Sequence, residues 1–154
     1  MLTWLVVVHL LAAAVWVGGT VALVFATVPV LRKLPLEQRA DSVRALGRRW
    51  KPIGWSALAV LGATGIWLAF GYWDAGDPDV LFDTRSGHII VAKAVLYLVL
   101  VTSAALHDFV LGPRLNRQIR EGRPRTLLHP MQAVGWISFA ATLALPILGV
   151  LLTT

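Results

Sequence analysis

Residues 2–31 carry no formal charge, and His9 is the one ionisable side chain in that run. A helix needs about 20 residues to cross a typical hydrocarbon core, so this stretch spans a bilayer with several to spare. It lacks the basic start of a secretory signal and follows directly on Met1, so it is expected to be a retained first helix. The rest of the chain repeats the theme. Apolar runs at 52–73, 88–111 and 130–152 alternate with charged links, and the predicted spans are therefore 2–31, 52–73, 88–111 and 130–152. With 57% hydrophobic and 14% charged residues and a mean hydropathy of +0.71, the chain lies far from a soluble domain, which has about 45–50% and 25%. The expected fold is all-α, an integral membrane four-helix up-down-up-down bundle forming a single domain over 1–154. No internal repeat stands out in the residues.

The net charge of +6 does not mark a nucleic-acid binder. Twelve of the fourteen basic residues lie in two links, 32–51 and 114–125, while the link at 74–86 is acidic, with Asp74, Asp77, Asp79 and Asp83 against Arg85. Basic links stay cytoplasmic and meet anionic headgroups. Both termini are thus expected outside the cytoplasmic (inner) membrane of a prokaryote. Gly62 and Gly65, with Ala59 and Ala69, give the second span a small-residue face for close helix approach.

Few residues can carry chemistry. There is no cysteine, no Gly-rich phosphate loop and no H-E-x-x-H, and the acidic link lacks the alternation and terminal Glu of a calcium loop. What remains is four histidines and one lysine at membrane depth, where an ionisable group is costly and is by default a functional candidate. Counting about 20 residues back from Pro29 puts His9 near the outer boundary. His88 falls at the same boundary, Lys93 about a turn deeper, His107 about a turn above the inner boundary and His129 on it. The histidines sort two and two, each pair drawn from two helices, which is the arrangement that grips a porphyrin from both faces.

Ordinary roles compete with this. His88 and His129 sit where a histidine needs no special explanation, Lys93 can snorkel to the interface, and His107 can cap a helix end. Asp108, one residue on from His107, is expected to point about 100° away and to pair with an arginine instead. His9 is harder to set aside, since its face continues through Ala12, Ala13, Trp16 and Thr20 as a pocket floor. Lys93 shares a stripe with Tyr97, Leu100, Ala104 and His107, though about 20 Å of helix rise separates its ends.

The run His9-Leu-Leu-Ala-Ala-Ala-Val-Trp16-Val-Gly18-Gly19 resembles the first helix of the copper-resistance D (CopD-like) family. Gly87 and Lys93 resemble its Gly-x(5)-Lys third helix, and Pro29 before the basic link fits as well. A more distant likeness runs to HemJ-type protoporphyrinogen oxidases, which hold haem b and pair a first-helix His and Trp with a third-helix Lys. The chain departs from that pattern after Gly19, where Thr-Val-Ala-Leu-Val-Phe replaces a Tyr- and Arg-containing stretch. The resemblance carries over His9, Trp16 and Lys93.

Two functions follow as expectations. The first is a haem b-binding redox or electron-transfer protein, an oxidoreductase in the membrane. There His9 and His88 are axial ligands, Lys93 neutralises a propionate, Trp16 floors the pocket, and His107 and His129 hold a second haem near the inner arginines. A redox partner protein or a quinone would exchange its electrons, and a homo-oligomer would be compatible. The second is copper handling, by uptake or delivery. Soft ligands for copper(I) are scarce, with Met1 and Met131 alone, so imidazole-held copper(II) is the form that fits. A structural subunit of a larger membrane complex is the bland third option.

Overall fold

A computed structural model describes residues 2–124 and 126–152; the side chains of Leu2, Leu36 and Glu37 are not described. Met1 and Arg125, which figure in the sequence reading, lie outside the described residues. The described chain is helical, with no strand. We label the helices in order. Helix α1 runs Leu2–Val21, continues through a π-helical turn, Ala22–Thr27, and ends with Val28–Arg32. Helix α2 is Leu36–Tyr72, and α3 is the short Pro78–Asp83. Helix α4 runs Arg85–Ala105, a second π-helical turn, Leu106–Leu111, and Gly112–Arg120. Helix α5 is Leu128–Leu151. Four of the five, all but α3, are long and apolar enough to cross a membrane. This bears out the all-α membrane class, with four helices of spanning length.

The chain forms two compact units, residues 1–77 and 78–154. The first is the antiparallel hairpin α1–α2, and the second is the antiparallel hairpin α4–α5 with α3 leading in. Large apolar side chains such as Phe25, Ile66, Phe70, Leu98 and Ile147 remain about 60% exposed along these helices, as lipid-facing surface requires.

One expectation needs correcting at the links. The basic stretch before Pro52 is not a loop. Helix α2 begins at Leu36 and carries Arg39, Arg44, Arg48, Arg49 and Lys51 in its first half, with Arg44 paired to Asp41. At about 1.5 Å per residue its 37 residues outrun a hydrocarbon core of about 30 Å, so the basic half projects beyond it. Likewise α4 continues to Arg120 before Gly122, in the left-handed region at φ +63°, ends it. The Arg123 N–H then bonds back to the Gln118 carbonyl at 2.9 Å.

A proline follows each of the two π turns, although Pro52 and Pro146 are carried within α-helix. Pro29 and Pro113 lack an N–H, and their rings crowd the carbonyl four residues back. The chain widens ahead of each proline: the Val28 N–H bonds to Leu23 O and the Gly112 N–H to His107 O, five residues back in each case. Backbone groups are thereby satisfied inside the helix, which an apolar medium demands.

Close approach in the first hairpin depends on two glycines. The Trp50 ring lies where a Cβ on Gly19 would stand, and Trp16 Cζ3 is 3.0 Å from the Cβ position of Gly54. Trp16 and Trp50 sit with ring centroids 6.2 Å apart, tilted by 30°. Trp16 is buried there, against Trp50, and helps close this hairpin. In the second unit Gly87 meets the carbonyls of Val80 and Leu81, so the glycine of the Gly-x(5)-Lys pattern is there to let α3 dock on α4.

Replacing Gly19 with alanine is expected to displace Trp50 and destabilise the first hairpin by about 1–3 kcal/mol, as overpacking does. Thermal denaturation in detergent, followed by tryptophan fluorescence, checks this. An unchanged midpoint and emission maximum would show that the ring can move without cost.

Candidate functional site

In the first hairpin, helix α1 carries His9 to a point opposite Thr64 and Gly65 of α2. His9 Nδ1 lies 2.7 Å from Thr64 Oγ1, and its Cε1 lies 3.5 Å from the Cβ position of Gly65. The glycine leaves room for the imidazole to lie across α2, and the neighbouring hydroxyl fixes its orientation. The Thr64 hydroxyl has one proton, and it donates that to Val60 O at 2.6 Å, with Leu61 O a longer 3.3 Å away. With its proton on Val60 O it accepts from His9 Nδ1–H, the arrangement that leaves the basic lone pair on Nε2. That is how a metal-ligating histidine is commonly set: one nitrogen donates to an oxygen that fixes the ring, and the other is the donor atom for a metal. Thr64 was not singled out in the sequence. Its signal was present in hindsight, since it is the lone hydroxyl within the small-residue face built by Ala59, Gly62, Gly65 and Ala69.

In the second unit Lys93 of α4 stands over a glycine in the same way. Its Nζ is 3.7 Å from the Cβ position of Gly149 on α5. It is half-buried, and among the described residues it has no hydrogen bond or ion pair. Nearby, Arg85, His88, Ile89, Ala92, Leu148 and Leu151 line a recess of about 460 Å³. His88 Nε2 lies 2.6 Å from the Phe82 carbonyl, to which it donates. That ring is turned back toward helix α3, ahead of its own helix.

His107 falls inside the second π turn. Its Nδ1 is 3.0 Å from Asp108 Oδ1, and its ring edge faces Gly135 of α5, with Cδ2 3.8 Å from the Cβ position there. The expectation that Asp108 points away from His107 is corrected. It assumed α-helical spacing, and the wider π turn brings successive side chains closer in angle, so the neighbours meet. Of the inner arginines, Arg117 and Arg123 share Glu121, at 2.7 and 3.1 Å. His129 is exposed in the first turn of α5, six residues or about 9 Å of rise from Gly135. His9 belongs to the first hairpin, and His88, Lys93, His107 and His129 belong to the second unit. No cluster of three or more His, Cys, Asp or Glu side chains suited to a metal ion occurs among the described residues.

Comparison with known proteins places this geometry. A family model described as Copper resistance protein D matches residues 44–152. The match begins on α2, so the first helix and His9 precede it. A curated relative, the Copper transport protein CutJ of Bacillus subtilis (strain 168), is 31% identical over 119 residues, 77% of this chain and 20% of that protein. The chain thus spans about a fifth of the length of the relative it matches. No solved structure matches. The comparisons do not show the likeness to HemJ-type oxidases.

They overturn haem b, with its iron and electron-transfer role, as the main expectation. Both matches carry copper in their descriptions. The chain belongs to the copper resistance protein D family.

Proposed function

We propose that this chain is a copper-handling membrane protein, in which copper is the cargo and His9 is a ligand on its path. The observation that carries the proposal is the family match over most of the second to fourth spans, together with the copper transport protein among its relatives. The site adds a physical reason. An apolar helix holds one imidazole, and Thr64 fixes its tautomer so that Nε2 carries the basic lone pair. Imidazole nitrogen suits copper(II), whereas copper(I) prefers thiolate and thioether, and the chain has no cysteine. The basic ends of α1, α2 and α4 would face the cytoplasm by the positive-inside rule, which puts His9 toward the outer surface, where an incoming ion arrives first. Uptake through the membrane and delivery to a partner both fit this placement. Transport across the membrane, in either direction, is what the relative's description favours over delivery.

Replacing His9 with alanine is expected to lower copper accumulation at least about tenfold, the order of effect that losing a ligand or its orienting partner has on metal sites. Whole-cell copper content, or copper entry into vesicles holding the full chain, measures it. Accumulation equal to the wild type in both assays would sink the proposal. The milder change Thr64→Val removes the acceptor of the Nδ1–H. It should cost about 1–3 kcal/mol of stability, because a buried donor is left unmade. Nitrogen-15 chemical shifts of the imidazole should show loss of the single tautomer. A ring that keeps its Nδ1–H form without the hydroxyl would show that something other than Thr64 fixes it.

A further inference from the structure

The two hairpins match at a constant offset of 84 residues. The π turns Ala22–Thr27 and Leu106–Leu111 are displaced by it at both ends. Phe25, Pro29 and Leu31 recur as Phe109, Pro113 and Leu115, and Ile53, Ala57, Leu61 and Gly65 as Ile137, Ala141, Leu145 and Gly149. The helix crossings agree too, since His9 lies over Gly65 and Lys93 over Gly149. The residues alone do not show this repeat, because few identities survive, while the backbone and the crossings do. Each hairpin is therefore a control for the other. Where matched positions differ in kind, the difference is not demanded by the shared scaffold.

Such a difference lies at the N-terminal end of α4. The recess of about 460 Å³ there has Arg85, His88, Ile89 and Ala92 on one stripe of α4, with Leu148 and Leu151 on α5. In the first hairpin the positions matching His88 and Leu151 hold Trp4 and Trp67, exposed indoles suited to the membrane interface. The second hairpin has a smaller side chain at each, and its rim carries unmade polar groups. Among the described residues neither Arg85 nor Asp83 has a hydrogen bond or ion pair. Thr84 between them is spent on capping α4, its hydroxyl oxygen accepting from the Gly87 N–H at 3.0 Å. His88 gives its Nε2–H to Phe82 O, so in the neutral ring Nδ1 keeps the lone pair, and no described residue donates to it. Helix α4 is a spanning helix whose basic end, Arg114 to Arg120, lies at its other end, so this rim stands at the level of the headgroups. Arg85 offers the planar donor fork that suits a phosphodiester. Against it, Asp74, Asp77, Asp79 and Asp83 in the adjoining link repel a headgroup of net negative charge and attract an ammonium. We propose that the recess holds one zwitterionic phospholipid with a primary ammonium. Its phosphodiester lies on Arg85, its ammonium donates to His88 Nδ1 and faces the acidic link, and its acyl chain starts along Ile89, Ala92, Leu148 and Leu151. This does not depend on the copper reading.

Native mass spectrometry of the full chain in detergent tests this. Phosphatidylethanolamine, phosphatidylcholine and phosphatidylglycerol with the same acyl chains are added in equal amounts, and the lipid retained per chain is counted. The wild type is expected to retain one phosphatidylethanolamine. Phosphatidylcholine, whose methylated nitrogen has no N–H to give, should be retained about tenfold less, the order of effect of one hydrogen bond to a charged group. Equal retention of the three, or a preference for phosphatidylglycerol, overturns the proposal. Arg85→Ala should lower retention about tenfold. Arg85 is exposed and bonds to no described residue, so this variant is expected to fold as the wild type does, and undiminished retention in it overturns the proposal. His88→Phe removes the acceptor and should leave phosphatidylethanolamine and phosphatidylcholine bound alike. A surviving preference for the ethanolamine lipid overturns the assignment of its ammonium to Nδ1. Leu151→Trp copies Trp67 of the first hairpin, fills the recess and should lose the lipid. Retention there would put the lipid elsewhere on the chain, against the proposal.

Discussion

Close approach of two helices over a glycine is the constraint on which both units depend. Between apolar helices in lipid the hydrophobic effect supplies little, because lipid is as apolar as leucine, so packing and hydrogen bonds must hold the pair. Packing needs residues small enough for a large side chain to cross the facing helix. Gly19 and Gly54 admit Trp50 and Trp16, Gly65 admits His9, and Gly149 admits Lys93. The polar seats are therefore consequences of the same device that joins the helices. A glycine that lets an indole cross also lets an imidazole or an ammonium cross, and the group is then held between two backbones with its charge or lone pair at a fixed place.

Proline supplies the second constraint. A proline deep in a helix would leave a carbonyl unpaired, and no water is available to meet it. The π turn resolves this by passing bonds five residues back, and the phase of the helix changes on either side. Residues beyond the turn cannot be placed by counting in steps of about 100° from residues before it. His107 and Asp108 show the effect, being neighbours in space because they sit inside the turn.

That contrast marks what was legible in the residues. Spans were legible because length and charge decide them: a run such as 2–31 has one stable environment. Their ends were less so, since Arg39 to Lys51 reads as a polar link by charge while its residues form good helix that projects past the bilayer. His9 was legible as the lone ionisable group in an apolar helix, but its partner was not, because contact across a hairpin depends on register between segments 55 residues apart. Haem was inferred from histidines that share a depth. Depth alone does not say where a ring nitrogen points, and His88 donates to Phe82 O of helix α3.

The two hairpins also share features at a constant offset of 84 residues, with π turns at Ala22–Thr27 and Leu106–Leu111, Pro29 matched by Pro113 and Gly65 by Gly149, which bears on which parts of such a chain are free to change. Between the two hairpins the conserved features are those that meet backbone: the prolines that set the π turns and the glycines under the seats, 65 and 149. The features that differ meet space or solvent. Leu58 and Thr142 fill equivalent buried positions with different side chains, Thr142 satisfying its hydroxyl on Ser138 O at 2.9 Å within its own helix. That is the cheapest way to bury a hydroxyl where no water is present. The side chain seated over the glycine differs as well: His9 over Gly65 meets the Thr64 hydroxyl at 2.7 Å, while Lys93 over Gly149 stands beside Leu148, which has none. The glycine thus fixes how closely the helices approach, and the residue next to it fixes what the seated group can bond to.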